Sequence, residues 1–376
     1  MARQATNNTL HKAKSSKSDE FYTLLEDIER ELVFYKECFR GKTVYCNCDN
    51  PKESNFFKYF FKNFRTLGLT KLVASYYVPN TQNLFYESEP KHGGYIECTL
   101  DDVDANIADL PCKSFNGNGD FRSQECISLL KQADIVVTNP PFSIFREHLA
   151  QITRYKKDFL VIGNINAITY QEIFHLIQTN KAWLGVHLGR GISGFKVPDH
   201  YEMYGTETSI STNGDRIISP NNCLWLTNLD IQKRHDRLKL TKVYSGNEDL
   251  YPKFDNFNGI NVNRTQDIPM DYEGAIGVPI TFLHKYNPSQ FEIVQFTVVS
   301  AFRVVTLYNK TFLIPSGALP LTVYCCAPAT RVIAPKSRVI ILFFILMNIF
   351  NLPILINAAN KRYTKHSAKR NSKIMA

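Results

Sequence analysis

No acidic side chain follows Glu292 in this chain of 376 residues. The remaining segment nevertheless holds 11 of the 44 lysines and arginines, so residues 1–292 carry 33 basic side chains against 35 acidic ones. The net charge of +9 therefore arises from the end of the chain and is not a general signature of nucleic-acid binding. Any DNA-binding surface must be a local basic patch on a nearly neutral body.

The chain also lacks zinc-type cysteine pairs, a basic leader with an apolar core, and a long apolar run. The nine cysteines include Cys46 with Cys48 and Cys325 with Cys326, but neither pair has the spacing or the nearby histidines of a zinc site. The uninterrupted apolar run at residues 339–347 is shorter than the roughly 20 residues that a membrane-spanning helix needs. We therefore expect a cytoplasmic protein with reduced, buried thiols, no metal ion and no membrane partner.

Apolar residues make up 44% of the chain, which is enough for a large buried core. Runs rich in β-branched residues alternate with segments of helical periodicity, and this alternation predicts an α/β protein with a doubly wound, mostly parallel sheet. The predicted strands are residues 43–46, 71–77, 95–99, 133–138 and 158–163, and the predicted helices are residues 18–39, 54–64, 123–132 and 143–154. From residue 181 onward the pattern is less regular, which predicts a mixed α/β region carrying recognition loops.

Residues 139–142, Asn-Pro-Pro-Phe, directly follow a predicted strand. The side-chain oxygen of Asn139 and the carbonyl oxygen of Pro140 can each accept one N–H of a planar amine, which leaves the nitrogen lone pair available for reaction. Pro140 and Pro141 keep the turn rigid because each has a fixed φ and no N–H. Phe142 offers a face to an extruded base, and such stacking contributes about 1–3 kcal/mol per base. We predict that these four residues are catalytic, although Asn-Pro is also common in plain turns.

Three unusual loops, at residues 47–51, 119–122 and 139–142, follow or adjoin predicted strands. Ligands of doubly wound sheets bind at the carboxyl ends of the strands. We therefore expect the three loops to converge on one site.

Several motifs in this order resemble the EcoRI-type adenine-specific DNA methyltransferases. The likeness extends to about residue 293, and the ordered set is far more specific than the Asn-Pro-Pro-Phe turn alone. The motifs are residues 18–23 (Ser-Asp-Glu-Phe-Tyr-Thr), 44–51 (Val-Tyr-Cys-Asn-Cys-Asp-Asn-Pro), 54–56 (Ser-Asn-Phe), 119–121 (Gly-Asp-Phe), 139–143 (Asn-Pro-Pro-Phe-Ser) and 277–282 (Gly-Val-Pro-Ile-Thr-Phe).

The resemblance implies S-adenosyl-L-methionine as cofactor and double-stranded DNA as substrate, with the target adenine flipped out of the helix. It places residues 21–23 over the methionine end of the cofactor, Asp49 near the methionyl group, and Asp120 with Phe121 at the cofactor adenine. A cognate restriction endonuclease that forms no stable complex with the chain is a further implied partner. The full implied cofactor set is Phe21, Tyr22, Thr23, Asn47, Asp49, Ser54, Asn55, Asp120 and Phe121.

The resemblance also implies a class I methyltransferase-like fold. We expect a mobile basic arm at residues 1–17, a cofactor-binding catalytic domain at 18–180, and the remaining sheet with a target-recognition region at 181–295. Residues 296–376 form an acid-free C-terminal region that departs from the family pattern.

Two motifs compete with this interpretation. The loop at residues 47–51 has no glycine, unlike most class I methyltransferases, and residues 189–194 match the dinucleotide fingerprint Gly-x-Gly-x-x-Gly. No amphipathic helix follows that fingerprint, which favours a flexible loop near the DNA or the target base over a phosphate site. A polar stretch could contact phosphates or bases, or could be a solvated face; it comprises Asn221, Asn222, Lys233, Arg234 and Arg237.

Three functions remain open from the sequence. The first is site-specific methylation of adenine N6 in DNA. The second is the same chemistry on RNA adenine or on a protein glutamine amide, whose planar amine poses a similar problem. The third is DNA binding without turnover.

Overall fold

The computed structural model describes residues 22–78, 92–188, 192–197, 208–211, 213–219, 222–254, 258–299 and 302–309. These residues all belong to one unit of contacts, Met1–Tyr324. The strands are β1 (Tyr22–Thr23), β2 (Thr43–Cys46), β3 (Lys71–Tyr76), β4 (Gly94–Cys98), β5 (Lys113–Ser114), β6 (Ile135–Thr138), β7 (Asp158–Asn164), β8 (Trp183–Leu188), β9 (Phe195–Lys196), β10 (Thr208–Ile210), β11 (Arg216–Ile218), β12 (Cys223–Thr227), β13 (Gly259–Asn261), β14 (Ala275–Pro279), β15 (Phe291–Val299) and β16 (Phe302–Asn309). The α-helices are α1 (Leu25–Leu32), α2 (Asn55–Lys62), α3 (Phe64–Leu67), α4 (Gln124–Gln132), α5 (Phe145–Arg154) and α6 (Gln171–Gln178).

The main sheet has eight strands in the order β5-β4-β3-β2-β6-β7-β12-β8. At its centre β2 pairs in parallel with β3 and β6, and β6 pairs in parallel with β7. The outer pairings, β3 with β4, β4 with β5, β7 with β12 and β12 with β8, are antiparallel. The predicted α/β class is confirmed, and the sheet is mixed, with its parallel pairings confined to the four central strands.

Helices cover both faces of this sheet because its central strands are apolar on both sides. Val44 and Cys46 of β2 pack in one buried cluster with residues of α1 and α2. Tyr45, between them, packs in a second cluster with residues of α4, α5 and α6. Successive side chains of a strand point to opposite faces, so the continuous apolar runs of β2 and β6 mark strands buried on both sides.

The first predicted helix, residues 18–39, is only partly correct. The α-helix begins at Leu25 and continues as a 3-10 helix, Val33–Phe39, which carries the predicted apolar face onto the sheet. Tyr22 and Thr23 form strand β1 instead, because their backbone pairs with β9. Long-range pairing of this kind is not visible in local periodicity. Ser18, the first residue of the predicted helix, lies outside the described residues.

Two smaller sheets accompany the main one. The first has the order β1-β9-β11-β10 and the second β13-β14-β16-β15. The second sheet extends past Glu292, through β15 and β16, into the acid-free region. The predicted arm at residues 1–17 and the apolar run at 339–347 lie outside the described residues. Within the part of the chain that is described, no helix is long and apolar enough to cross a membrane.

The contact between Gly163 and Phe145 fixes the start of α5 against β7. A Cβ atom at Gly163 would lie 2.6 Å from two ring atoms of Phe145. We expect Gly163→Ala to reduce the free energy of unfolding by about 1–3 kcal/mol, because the buried ring must shift off its rotamer. Gly117→Ala is the control, since its Cβ would meet only Glu125 Oε2 at 3.7 Å. Urea denaturation measures both, and equal stabilities of the two variants would contradict the packing argument.

Candidate active site

The loop after β2 buries the carboxylate of Asp49, which is 5% exposed. Its Oδ1 accepts a hydrogen bond of 2.7 Å from Ser54 Oγ, and its Oδ2 accepts one from Thr138 Oγ1. Burial raises the pKa of Asp49 to about 6, and the two hydroxyl donors limit that rise. No ion pair of Asp49 occurs among the described residues. The chain therefore holds a buried carboxylate whose described side-chain partners are two neutral hydroxyl groups.

Ser54 and Asn55 connect this loop to the first strand. Ser54 caps α2 by accepting from the N–H of Phe56 at 3.1 Å, while its hydroxyl proton is donated to Asp49. The Asn55 amide donates to the carbonyl oxygen of Thr23 at 2.8 Å. Thr23 Oγ1 is buried and has no hydrogen-bond partner among the described residues. Thr23, Asp49, Ser54 and Asn55, all predicted from the resemblance, thus lie together.

Asn47 and Phe121 meet through a histidine that the sequence analysis did not single out. His148 of α5 donates from Nε2 to Asn47 Oδ1 at 2.9 Å, and its ring lies 5.3 Å from the Phe121 ring. Complete burial lowers the pKa of His148 to about 3, so the ring is neutral. With the proton on Nε2, the buried Nδ1 carries a lone pair that no described residue occupies.

Asp120 is engaged by a neighbouring cation. Arg122 donates to its two carboxylate oxygens at 2.9 and 2.7 Å, and these hydrogen bonds lower the pKa of Asp120. The Arg122 guanidinium also lies 5.3 Å from the centre of the Phe121 ring and donates to Glu147. Each carboxylate oxygen has two lone pairs, so Asp120 keeps acceptor capacity beyond Arg122.

The turn at residues 139–142 adjoins the Asp49 loop. Asn139 is 9% exposed and directly follows Thr138, the residue that donates to Asp49. Pro140 is buried, Pro141 is half-buried, and Phe142 opens a 3-10 turn, Phe142–Ile144, that leads into α5. The Phe142 ring packs edge-on against Phe195, with ring centres 6.2 Å apart. The loop at residues 47–51 therefore adjoins the turn at 139–142 through Thr138, and it meets the loop at 119–122 through His148.

Other predicted residues lie elsewhere. Phe21 and Asn221 are outside the described residues. Arg234 is an unsuitable phosphate contact, because its side chain is only 8% exposed and lies 3.4 Å from the centre of the Trp183 ring. Lys233 forms an ion pair with Asp236 at 2.7 Å. In the described half of the Gly-x-Gly-x-x-Gly match, the N–H groups of Ser193 and Gly194 donate to Asp27, so they are not available to a phosphate.

Comparison with known proteins decides the family. The family profile "Adenine-specific methyltransferase EcoRI" matches residues 9–340. The chain belongs to this family. It is 61% identical over 297 residues to the Type II methyltransferase M.EcoRI of Escherichia coli, covering 79% of this chain and 91% of that protein. It is 39% identical over 289 residues to the Type II methyltransferase M.MgeORF184P of Mycoplasma genitalium, covering 76% and 84%.

A third relative is the Type II methyltransferase M.MpnI of Mycoplasma pneumoniae, which is 38% identical over 288 residues, covering 76% of this chain and 84% of that protein. No solved structure matches the chain significantly. The resemblance inferred from the motifs is confirmed, and this member of the EcoRI family is an adenine-specific methyltransferase. A glutamine amide substrate and a purely non-enzymatic protein are thereby set aside.

The buried Asp49 carboxylate predicts a pH-dependent stability difference. Its pKa rises from about 3.9 in the unfolded chain to about 6 in the folded protein. The folded state thus binds the proton more tightly, and this contribution to stability declines as pH rises from about 4 to about 6. In protein without added small molecules, Asp49→Asn should exceed the wild type in unfolding free energy by an amount on the order of 2 kcal/mol at pH 7.5 and by less at pH 5. Urea denaturation at the two pH values measures the difference; an equal gap at both would contradict the buried-charge account.

Proposed function

We propose that this chain transfers a methyl group from S-adenosyl-L-methionine to the N6 amine of one adenine within a specific double-stranded DNA sequence, after that adenine has turned out of the helix. The observation that carries the proposal is the hydrogen bond from Thr138 to Asp49. It places the Asn-Pro-Pro-Phe turn beside a buried carboxylate, as a transfer between two adjacent ligands requires.

The residues around Asp49 fit the proposed cofactor in charge and in hydrogen bonding. A buried carboxylate partnered by two hydroxyls suits the cationic ammonium of the methionyl group, and the buried Thr23 Oγ1 nearby supplies a further polar atom. The His148 Nδ1 lone pair and the Phe121 ring suit a donor group and a planar surface. Asp120 retains capacity to accept from an amine. When bound, the cofactor supplies an electrophilic methyl group on a sulfonium.

The turn at residues 139–142 orients the target amine. Asn139 Oδ1 and the Pro140 carbonyl accept its two N–H groups, which hold the nitrogen lone pair away from the purine ring. Burial of Asn139 excludes competing water from these acceptors. The face of Phe142 stacks on the extruded base, while its other contacts are to the protein core. The acceptors act by positioning, and no strong base is required at the nitrogen.

The sheet supports the proposed class I methyltransferase-like, doubly wound arrangement. From the pairings, six of the eight strands point the same way, and only β4 and β12 run against them. We assign residues 18–180 to cofactor binding and catalysis, and 181–295 to the rest of the sheet and DNA recognition. The chain acts in the cytoplasm, with a cognate endonuclease that forms no stable complex with it.

Label transfer tests the proposed substrate. The chain is incubated with methyl-labelled cofactor and with unmethylated duplex DNA or structured RNA, and the products are digested to nucleosides. The proposal predicts label in N6-methyladenine from DNA, confined to one sequence context when the DNA is sequenced. Label in RNA alone would favour the alternative nucleic-acid substrate and overturn the DNA assignment.

Removal of the Asn139 side-chain acceptor tests the clamp. Asn139→Ala should lower kcat by about 100- to 1,000-fold, the usual effect of removing one preorganised polar group from a reacting centre. Cofactor affinity, measured by calorimetry without DNA, should stay close to the wild-type value because the Asp49 site is intact. The control is Asn106→Ala, an exposed asparagine that caps a short 3-10 turn. Wild-type turnover in Asn139→Ala would remove that residue from its proposed role.

A further inference from the structure

A short segment, residues 192–197, contacts both β1, the strand proposed to bind the cofactor, and Phe142, the residue proposed to stack on the target base. Its strand β9 pairs on one side with β1, where Thr23 faces Phe195, and on the other with β11, where Ile218 faces Phe195. The Phe195 side chain is fully buried, and its ring forms a T-shaped contact with the ring of Phe142. One residue therefore joins the backbone of the proposed cofactor strand to the ring proposed to hold the target base.

A buried carboxylate fixes this segment. Asp27 of α1 accepts from the N–H of Ser193 at 2.6 Å, from Ser193 Oγ at 2.8 Å and from the N–H of Gly194 at 3.4 Å. Asp27 is 1% exposed and also forms an ion pair with Arg30. Its buried charge is therefore stabilised both by Arg30 and by the donors of Ser193 and Gly194. Three hydrogen bonds to one carboxylate hold the segment in a single position relative to α1.

Glycine is required where the segment turns into β9. A Cβ atom at Gly194 would lie 2.7 Å from Ile217 Cγ2 and 2.8 Å from the Ile218 carbonyl oxygen. The last glycine of the Gly-x-Gly-x-x-Gly match is therefore explained by close packing on β11.

We propose that Phe195 is a positioning residue for the methyl transfer, held in place by Asp27 and β1, which sets the orientation of Phe142 and ties it to the cofactor strand. The inference rests on the proposed function. Phe142 is half-buried and precedes α5, so its ring needs lateral support to present one face to a base. The edge contact with Phe195 supplies that support, and its loss corresponds to a factor of up to roughly ten in rate.

A double-mutant cycle on kcat tests this coupling. Phe195→Leu keeps most of the buried volume and removes the aromatic ring, so it should lower kcat by up to about tenfold while cofactor affinity changes little. In a Phe142→Ala background the same substitution should have almost no further effect, because Phe195 acts through the ring that is already gone. Phe64→Leu is the matched control, a buried phenylalanine of the same cluster on α3. It should lower stability to a similar extent and leave kcat unchanged.

The Asp27 variants supply a second readout. Asp27→Ala leaves the Ser193 and Gly194 N–H groups without their acceptor and should reproduce the kcat loss of Phe195→Leu, whereas Asp27→Asn keeps one acceptor and should restore most of the rate. The inference would be overturned if Phe195→Leu lowered kcat equally in the wild-type and Phe142→Ala backgrounds, or if Phe195→Leu itself kept the wild-type kcat. Methylation by the wild type would still support the proposed function in either case. Absence of methylation by the wild type would instead refute the proposed function.

Discussion

The buried carboxylate of Asp49 is the constraint on which the site depends. A charge held away from water is costly unless it is hydrogen-bonded, and here the bonds come from two separate elements of the main sheet region. Ser54 belongs to the cap of α2 and Thr138 ends β6, so satisfying Asp49 requires both elements to be in place. The same requirement puts Asn139, the next residue, at the edge of the site. A buried group that is unfavourable on its own thereby fixes the geometry that the proposed transfer needs.

Buried carboxylates recur in the surrounding structure. Asp27 and Glu31 lie one turn apart on α1 and are both nearly inaccessible. Asp27 binds the segment before β9, and Glu31 accepts from the N–H groups of Val186 and His187 at the end of β8. One helix thus fixes the ends of two strands from different sheets through backbone N–H donors. Such contacts set position more than stability, because each buried charge is offset only when all its donors are present.

Local sequence patterns predicted most of the main sheet and its helices. The strand at residues 43–46 and the helices that begin near Ser54 and Ser123 could be anticipated, because each follows from apolar runs and helical periodicity. Strand β1 could not be, since Tyr22 and Thr23 extend only by pairing with residues more than 170 positions away. The restriction of parallel pairing to β3, β2, β6 and β7 could not be anticipated either, because it depends on which strands become neighbours.

The site residues that escaped prediction share a physical reason. His148 is a single histidine within a helix, and nothing in its neighbourhood announces Asn47 as its partner a hundred residues earlier. Thr138 is one of several β-branched residues in its strand, and only the fold brings its hydroxyl to Asp49. The resemblance predicts a role for Asp120 at the cofactor, and the structure adds its hydrogen bonds with Arg122, which no local sequence pattern indicates. Motifs locate such sites, and three-dimensional contacts identify what completes them.

The central claim is that Asp49 and Asn139 belong to one site that holds two ligands side by side. The most direct test is a crystal structure with S-adenosylhomocysteine and a DNA duplex containing the methylated sequence. We predict the amino group of the cofactor product within hydrogen-bond distance of the Asp49 cluster and an extruded adenine with its N6 amine between Asn139 Oδ1 and the Pro140 carbonyl. A product bound away from Asp49, or an extruded adenine held by other residues, would contradict the account.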